Sequence, residues 1–140
     1  MTTMTLSQIE TFLKAPRHAI IGTNRKDGPP QLSPVWYIYQ EGRFYISIGT
    51  ETAKLRNLQR DPRVGLCIDG GHPDARAVMI YGTAELIEGD DPLRKKMRWR
   101  IIRHYHESED AAQRYAQEME DLPSVLVIVT PRRMISQDFN

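Results

Sequence analysis

The chain has 140 residues, which is enough for one domain with a single hydrophobic core, and we expect residues 1–140 to form that one domain. Hydrophobic residues make up 40% and charged residues 26%, which is typical of a globular protein and excludes a disordered chain. The net charge of +1 excludes the strong basic field of a general nucleic-acid-binding protein.

The chain opens with a predicted helix. Ser7 and Glu10 have the spacing of a capping box, and the apolar residues that follow lie on one helical face. The helix should therefore run from Ser7 to about Ala15 and end at Pro16.

Six segments then have the composition and periodicity of strands. Pro34 cannot donate to a sheet ladder, so it indicates an edge position or a bulge, and Gly82 suggests a second irregularity. The segment 31–39 alternates strictly, which predicts one continuous strand. The six predicted strands comprise residues 18–23, 31–39, 44–49, 64–68, 77–87 and 124–135.

Three further helices are predicted, at residues 52–60, 92–106 and, capped by Ser108, as far as residue 119. Short connections favour antiparallel pairing. The pattern predicts a mainly β (α+β) fold, a small six-stranded antiparallel barrel with helices at its rim. Such a barrel has little room inside, so a ligand should bind on its outside or between two copies.

The start of the second helix is the first candidate binding site. Lys54 lies in its first turn, where an ammonium group and free backbone N–H groups together suit a phosphate. Thr50 and Thr52 could donate hydroxyl groups, Gly49 allows close approach to the backbone, and Arg56 and Asn57 could extend the site. The alternative is an ordinary helix with Thr52 as its N-cap and a solvated Lys54.

Two neighbouring strand faces could line a planar ring and bond its edges. They carry small polar and apolar residues: Gln31, Ser33, Val35 and Tyr37 on one strand, and Tyr45, Ser47 and Gly49 on the other. The alternative is a solvent-facing sheet surface. On pattern alone, Trp36 is interpreted as a core or dimer-interface residue.

The histidines do not predict a metal site. His104 and His106 are two residues apart on a predicted helix and point to nearly opposite sides. His18 and His72 have no acidic or thiolate companions at ligand spacing.

The cysteine content and the N-terminus predict a cytoplasmic protein. Cys67 is the only cysteine, so no internal disulfide can form and a reducing compartment is expected. The first residues lack the pattern of a signal peptide, and no apolar run reaches membrane-spanning length.

Residues 94–103 are strongly basic and could contact the anionic tail of a ligand. They could also form a solvated helix face opposite the acidic residues 107–110, and we favour this interpretation.

Two sequence blocks carry a family resemblance. They read RHAIIGTNRKDGPPQLSPVWYIYQEGRFYISIGTETAKLRNLQRDPRVGLCID and AVMIYGTAELIE. They resemble the pyridoxamine 5′-phosphate oxidase-like FMN-binding split β-barrel superfamily, and within it the branch that uses the deazaflavin coenzyme F420. Its most specific element is D-G-x-P-Q-x-S-P-V-W-Y…T-x-K-x-x-N-L-x-x-D-P-R-V, which is matched from Asp27 to Val64.

The resemblance implies a homodimeric split β-barrel with the cofactor in a groove between subunits. It places Ser33, Pro34, Val35 and Trp36 beside the ring, Ile48, Gly49 and Thr50 along the ribityl chain, and Lys54 at the phosphate, supported by Asn57. The implied function is an F420-dependent reductase of a small organic substrate, with Tyr37 as a candidate proton donor. The alternatives are an FMN-binding oxidoreductase and a non-catalytic flavin or F420 carrier.

The chain departs from true pyridoxamine 5′-phosphate oxidases in one respect. It has no counterpart of their basic substrate-phosphate motif near the C-terminus, where this sequence reads SQDFN. Oxidation of vitamin B6 compounds is therefore not expected.

Overall fold

The computed structural model describes residues 2–140, which form four helices and one curled antiparallel sheet of seven strands. The elements in chain order are α1 (Leu6–Lys14), β1 (Ala19–Thr23), β2 (Gln31–Val35), β3 (Ile38–Gln40), β4 (Arg43–Gly49), α2 (Ala53–Arg60), β5 (Arg63–Asp69), β6 (Arg76–Ile87), α3 (Pro92–His104), α4 (Glu109–Glu118) and β7 (Ser124–Asp138). The strand order is β2-β1-β5-β6-β7-β4-β3, and every pairing is antiparallel. The predicted mainly β, split-barrel fold is confirmed.

The prediction of six strands was wrong, because residues 31–39 do not form one continuous strand. The chain breaks at Trp36 and Tyr37, so that β2 pairs with β1 and β3 pairs with β4. These two strands lie at opposite edges of the sheet although only two residues join them. The sheet must therefore curl until its edges approach each other, which produces the half-barrel.

The predicted start of α1 was also wrong. The N-cap is Thr5, whose hydroxyl accepts a hydrogen bond from the Gln8 N–H while the Gln8 side chain accepts one from the Thr5 N–H. This reciprocal pair is the capping box, and it starts the helix before Ser7. The predicted caps Thr52 and Ser108 are confirmed for α2 and α4. No helix within residues 2–140 is long and apolar enough to cross a membrane.

The core fills the concave side of the sheet and is closed by α1. Phe12 and Leu13 of this helix are buried there in one apolar cluster with Phe44 and Ile46 of β4. A second apolar cluster lies between α3 and the other side of the sheet, where Met97 packs with five buried residues, namely Ile38, Tyr45, Ile101, Leu126 and Ile128. This cluster seats α3, and with it the α3–α4 pair, next to the break between β2 and β3.

The irregularity predicted at Gly82 is confirmed. The register between β6 and β7 shifts between Tyr81 and Gly82. A side chain at Gly82 would collide with the backbone carbonyl of Thr130, so this close approach requires glycine.

Candidate functional site

A cleft of about 440 Å³ lies where α3 and α4 pass over the ends of β2 and β4. Its volume is in the lower part of the range of small-molecule sites, roughly 300–1,000 Å³. The sheet contributes Pro34, Val35, Ser47, Ile48 and Gly49, the residues next to its strands contribute His18 and Trp36, and α2 contributes Lys54. The remaining lining comes from the α3–α4 region, namely Arg98, Ile101, Ile102, Tyr115, Met119 and residues 122–124.

The cleft brings together six of the ten residues predicted to bind a cofactor, namely Pro34, Val35, Trp36, Ile48, Gly49 and Lys54. They come from three separate elements, which meet only in the folded chain. The other four, Ser33, Thr50, Thr52 and Asn57, do not line it. The half-buried ring of Trp36 lines the cleft and also packs against the second apolar cluster, so the interpretation of Trp36 as a core or dimer-interface residue stays a prediction beside its predicted contact with the cofactor ring.

Lys54 is a half-buried cation at the start of α2. Its ammonium group forms no hydrogen bond or ion pair with any residue in the range 2–140. Burial lowers its pKa, because desolvation disfavours the charged form. An unpaired, partly desolvated ammonium beside the N–H groups of a helix N-terminus is a favourable site for an anion.

The hydroxyl of Thr52 is already used within the helix cap. It donates to the Gly49 carbonyl at 2.8 Å and accepts from the Leu55 N–H at 3.4 Å. Thr52 therefore orients the first turn of α2, and through it Lys54, while its own hydroxyl has no free donor hydrogen for a ligand.

Asn57 likewise acts through the helix. Its buried amide donates to the Thr23 hydroxyl at 3.1 Å, and its carbonyl oxygen accepts from Arg60 at 3.2 Å. The bond to Thr23 attaches α2 to β1, and the bond to Arg60 lies within α2. The prediction that Asn57 supports the phosphate site is retained only in this indirect sense, since its side chain is directed to Thr23 and Arg60.

Ser33 carries a buried polar atom without a partner. Its hydroxyl oxygen is inaccessible to solvent and forms no hydrogen bond within residues 2–140. Ser33 lies on the same strand face as Val35, which lines the cleft. A buried hydroxyl without a partner is costly, but Ser33 does not line the cleft, so its contact with a cofactor ring stays a prediction.

The cleft lining contains cations but no carboxylate. Lys54 and Arg98 come from different walls, and His18 lies on the sheet side. The rest of the lining is apolar, aromatic or small and uncharged. This distribution of charge favours an anionic ligand with a flat apolar body.

Tyr105, the C-cap residue of α3, holds the break between β2 and β3 in place. Its hydroxyl accepts from the Tyr37 N–H at 3.0 Å and lies 2.6 Å from the Arg17 carbonyl, to which it donates. The ring of Tyr105 stacks on Trp36, with 4.9 Å between centroids and 7° between planes. Burial raises the pKa of Tyr105 to about 12, so the hydroxyl remains a donor near neutral pH.

We expect Tyr105→Phe to lower the free energy of unfolding by about 1–3 kcal/mol, because the Tyr37 N–H and the Arg17 carbonyl lose a buried partner. Urea titration of the variant measures this change. Tyr115→Phe is the matched control, since the Tyr115 hydroxyl forms no hydrogen bond within residues 2–140. Equal stability of the two variants would show that the Tyr105 hydroxyl does not hold the break.

Tyr37 does not suit the role of proton donor. Its side chain is fully buried, and its hydroxyl donates to the Leu13 carbonyl at 3.0 Å. Burial raises its pKa well above the ordinary value, with the nearby Tyr105 adding to the effect. Because the hydroxyl lies in the core with α1, we withdraw Tyr37 as a candidate.

Sequence reasoning missed the wall contributed by α3 and α4. Arg98 belongs to the basic run that we interpreted as a solvated face, and Tyr115 and Met119 lie on a helix with no recognised motif. The residue pattern placed α4 correctly. Its position over β2 and β4 depends on tertiary packing, which the pattern does not encode.

Comparison with known proteins identifies relatives over nearly the whole chain. The pyridoxamine 5′-phosphate oxidase family profile matches residues 5–138. The conserved hypothetical protein Rv2991 from Mycobacterium tuberculosis is 26% identical, with a TM-score of 0.78 over 96% of this chain and 85% of that one.

Two further solved structures share the fold at lower identity. An F420 reductase is 21% identical, with a TM-score of 0.69 over 89% of this chain and 94% of that one. A FAD-binding protein from Mesorhizobium loti is 18% identical, with a TM-score of 0.71 over 96% of this chain and 93% of that one.

Proposed function

The chain belongs to the pyridoxamine 5′-phosphate oxidase family of flavin-binding oxidoreductases, and from this premise we propose that it is a reductase that uses coenzyme F420. One observation carries the proposal: the unpaired, half-buried Lys54 lies beside a helix N-terminus in a cleft without carboxylates. The same cleft would accept FMN, because FMN and F420 share a phosphoribityl arm. The F420 reductase among the structural neighbours and the resemblance of the 27–64 segment favour F420.

The residues of the cleft fit such a cofactor. Lys54 and the first-turn N–H groups of α2 would hold the phosphate, and Gly49 would leave room for the ribityl chain. Pro34, Val35 and Trp36 would hold the ring. When bound, the deazaflavin ring supplies the hydride, and the chain supplies orientation and shielding from water.

Titration of the purified protein with F420 and FMN tests the choice of cofactor. We expect F420 to bind more tightly and its reduced form to be oxidised by at least one acceptor in a panel of activated alkenes and imines. Tight FMN binding with negligible F420 binding would refute the F420 assignment. F420 binding without oxidation by any acceptor would support a carrier instead of an enzyme.

We further propose that two copies associate through the convex face of the sheet. One apolar row crosses five strands and consists of Pro34, Ile20, Cys67, Met79 and Ile135. The neighbouring row places Gly22 and Gly65 between the exposed side chains of Leu32 and Tyr81, which leaves a trough of about 640 Å³. We call these two rows the convex face.

Continuity with the cleft supports a second copy as the occupant of the convex face. Pro34 belongs to the apolar row and also lines the cleft. Tyr81 projects beside a glycine-floored trough on the same surface, which is the self-complementary arrangement that a two-fold contact requires. A partner on this face would therefore also cover the open side of the cofactor site.

A further inference from the structure

The cleft contains a second cation, Arg98, on a different wall from Lys54. We propose that Arg98 binds the single carboxylate of a planar aromatic substrate. This inference rests on the proposed function, in which Lys54 and the sheet hold the cofactor and the α3–α4 wall faces the remaining space. It specifies the class of substrate, which the proposed function leaves open.

Arg98 is held in position and keeps donors free. One terminal nitrogen of its guanidinium donates to the carbonyl of Met119, the C-cap residue of α4, at 2.9 Å. This bond fixes the half-buried side chain between α3 and α4. A guanidinium has five N–H donors in a planar fork, so one edge remains available for a two-point contact with a carboxylate.

Among the other arginines and lysines of α3, four have different partners, and Lys96 is exposed outside the cleft. Arg94 donates to Ser124 and Gly89, Arg100 to Gln40 and Arg103 to His106, while Lys95 lies 3.9 Å from Asp90. Within residues 2–140, Arg98 is therefore the only cation of α3 that lines the cleft. A polyanionic tail such as that of F420 would need several adjacent free cations, whereas one guanidinium matches a single negative group.

The surfaces beside Arg98 are aromatic. Trp36 and Tyr115 both line the cleft, with ring centroids 5.4 Å apart. His106 packs against both rings, at 5.8 Å from Trp36 and 5.0 Å from Tyr115. The Tyr115 ring, on the α3–α4 wall, favours a flat aromatic body by stacking, and Ile101 and Ile102 complete an apolar wall.

Calorimetric titration with 2-naphthoate and its neutral counterpart 2-naphthamide tests this inference. The titrations use wild-type protein, first without cofactor and then saturated with whichever of F420 and FMN binds. We expect 2-naphthoate to bind in both states and 2-naphthamide to bind at least about tenfold more weakly, because it lacks the charge that pairs with Arg98. Arg98→Gln should remove this difference, whereas Lys96→Gln, an exposed change on the same helix, should preserve it.

Three results would overturn the inference. The first is equal affinity of the wild-type protein for 2-naphthoate and 2-naphthamide. This measurement uses wild-type protein only, so it does not depend on the folding of a variant. The second is displacement of 2-naphthoate by the cofactor, which would place both in one site. The third is an Arg98→Gln variant that loses affinity for F420 but not for 2-naphthoate, which would assign Arg98 to the cofactor tail. Failure of both cofactors to bind would instead refute the proposed function.

Discussion

Lys54→Ala is expected to weaken the binding of F420 and of FMN by on the order of 10- to 100-fold, while the protein remains folded. The loss corresponds to about 1.5–3 kcal/mol, the contribution of a hydrogen bond to a charged group. Lys54 forms no hydrogen bond or ion pair within residues 2–140, so its removal should cost little stability. Fluorescence titration measures the affinity, and thermal unfolding measures the stability.

Arg56→Ala is the matched control, because Arg56 is an exposed cation on the same helix and does not line the cleft. The Arg56→Ala variant should bind either cofactor with the affinity of wild type. Lys54→Arg should restore part of the binding and maintain it at higher pH. The reason is that burial lowers the pKa of Lys54, so its charge is lost as the pH rises through this lowered value, whereas arginine stays protonated. If Lys54→Ala and Arg56→Ala lost the same affinity for the cofactor, the overall positive charge of the helix, and not the Lys54 site, would attract the phosphate.

Leu32→Asp is expected to convert the proposed dimer into monomers. Leu32 is 64% exposed at one side of the trough on the convex face, and a carboxylate there would be desolvated by a second copy. Analytical ultracentrifugation of wild type and variant at matched concentrations measures the change. We also expect the variant to bind its cofactor more weakly, because the partner that covers the cleft near Pro34 is lost.

Leu6→Asp provides a closely matched control. Leu6 is 61% exposed, close to the exposure of Leu32, and both substitutions replace leucine with aspartate. Leu6, however, lies at the start of α1, away from the convex face. This variant should remain a dimer. A monomeric wild type would refute the proposed dimer, and a dimeric Leu32→Asp would place the interface on another surface. Alkylation of Cys67 gives an independent measure, since this thiol lies in the middle of the apolar row and should be protected in a dimer.

Local patterns in the sequence were sufficient for most of the fold. Strand alternation and helix caps at Thr52 and Ser108 predicted the elements, and Gly82 predicted the bulge between β6 and β7. These features depend on interactions between residues near in sequence or on one backbone contact. The break at Trp36 and Tyr37 was not predictable in this way, because it is stabilised by the hydroxyl of Tyr105, 68 residues away.

The candidate site likewise has one part that the sequence pattern predicted and another part that it did not. Gly49 and Lys54 are neighbours in sequence around the start of α2, so the pattern from which we predict a phosphate site is visible in the chain itself. Arg98 and Tyr115 reach the cleft only because α3 and α4 pack across the sheet. The composition of α3 indicated a basic helix, but it could not show which of its cations faces the cleft.

A crystal structure of the protein with F420 or FMN bound tests the central claim most directly. We expect a phosphate oxygen of the cofactor at about 3 Å from the Lys54 ammonium, as in a charge-assisted hydrogen bond, with the ring against Trp36. A cofactor bound on the convex face, or one in the cleft with its phosphate away from Lys54, would contradict the account.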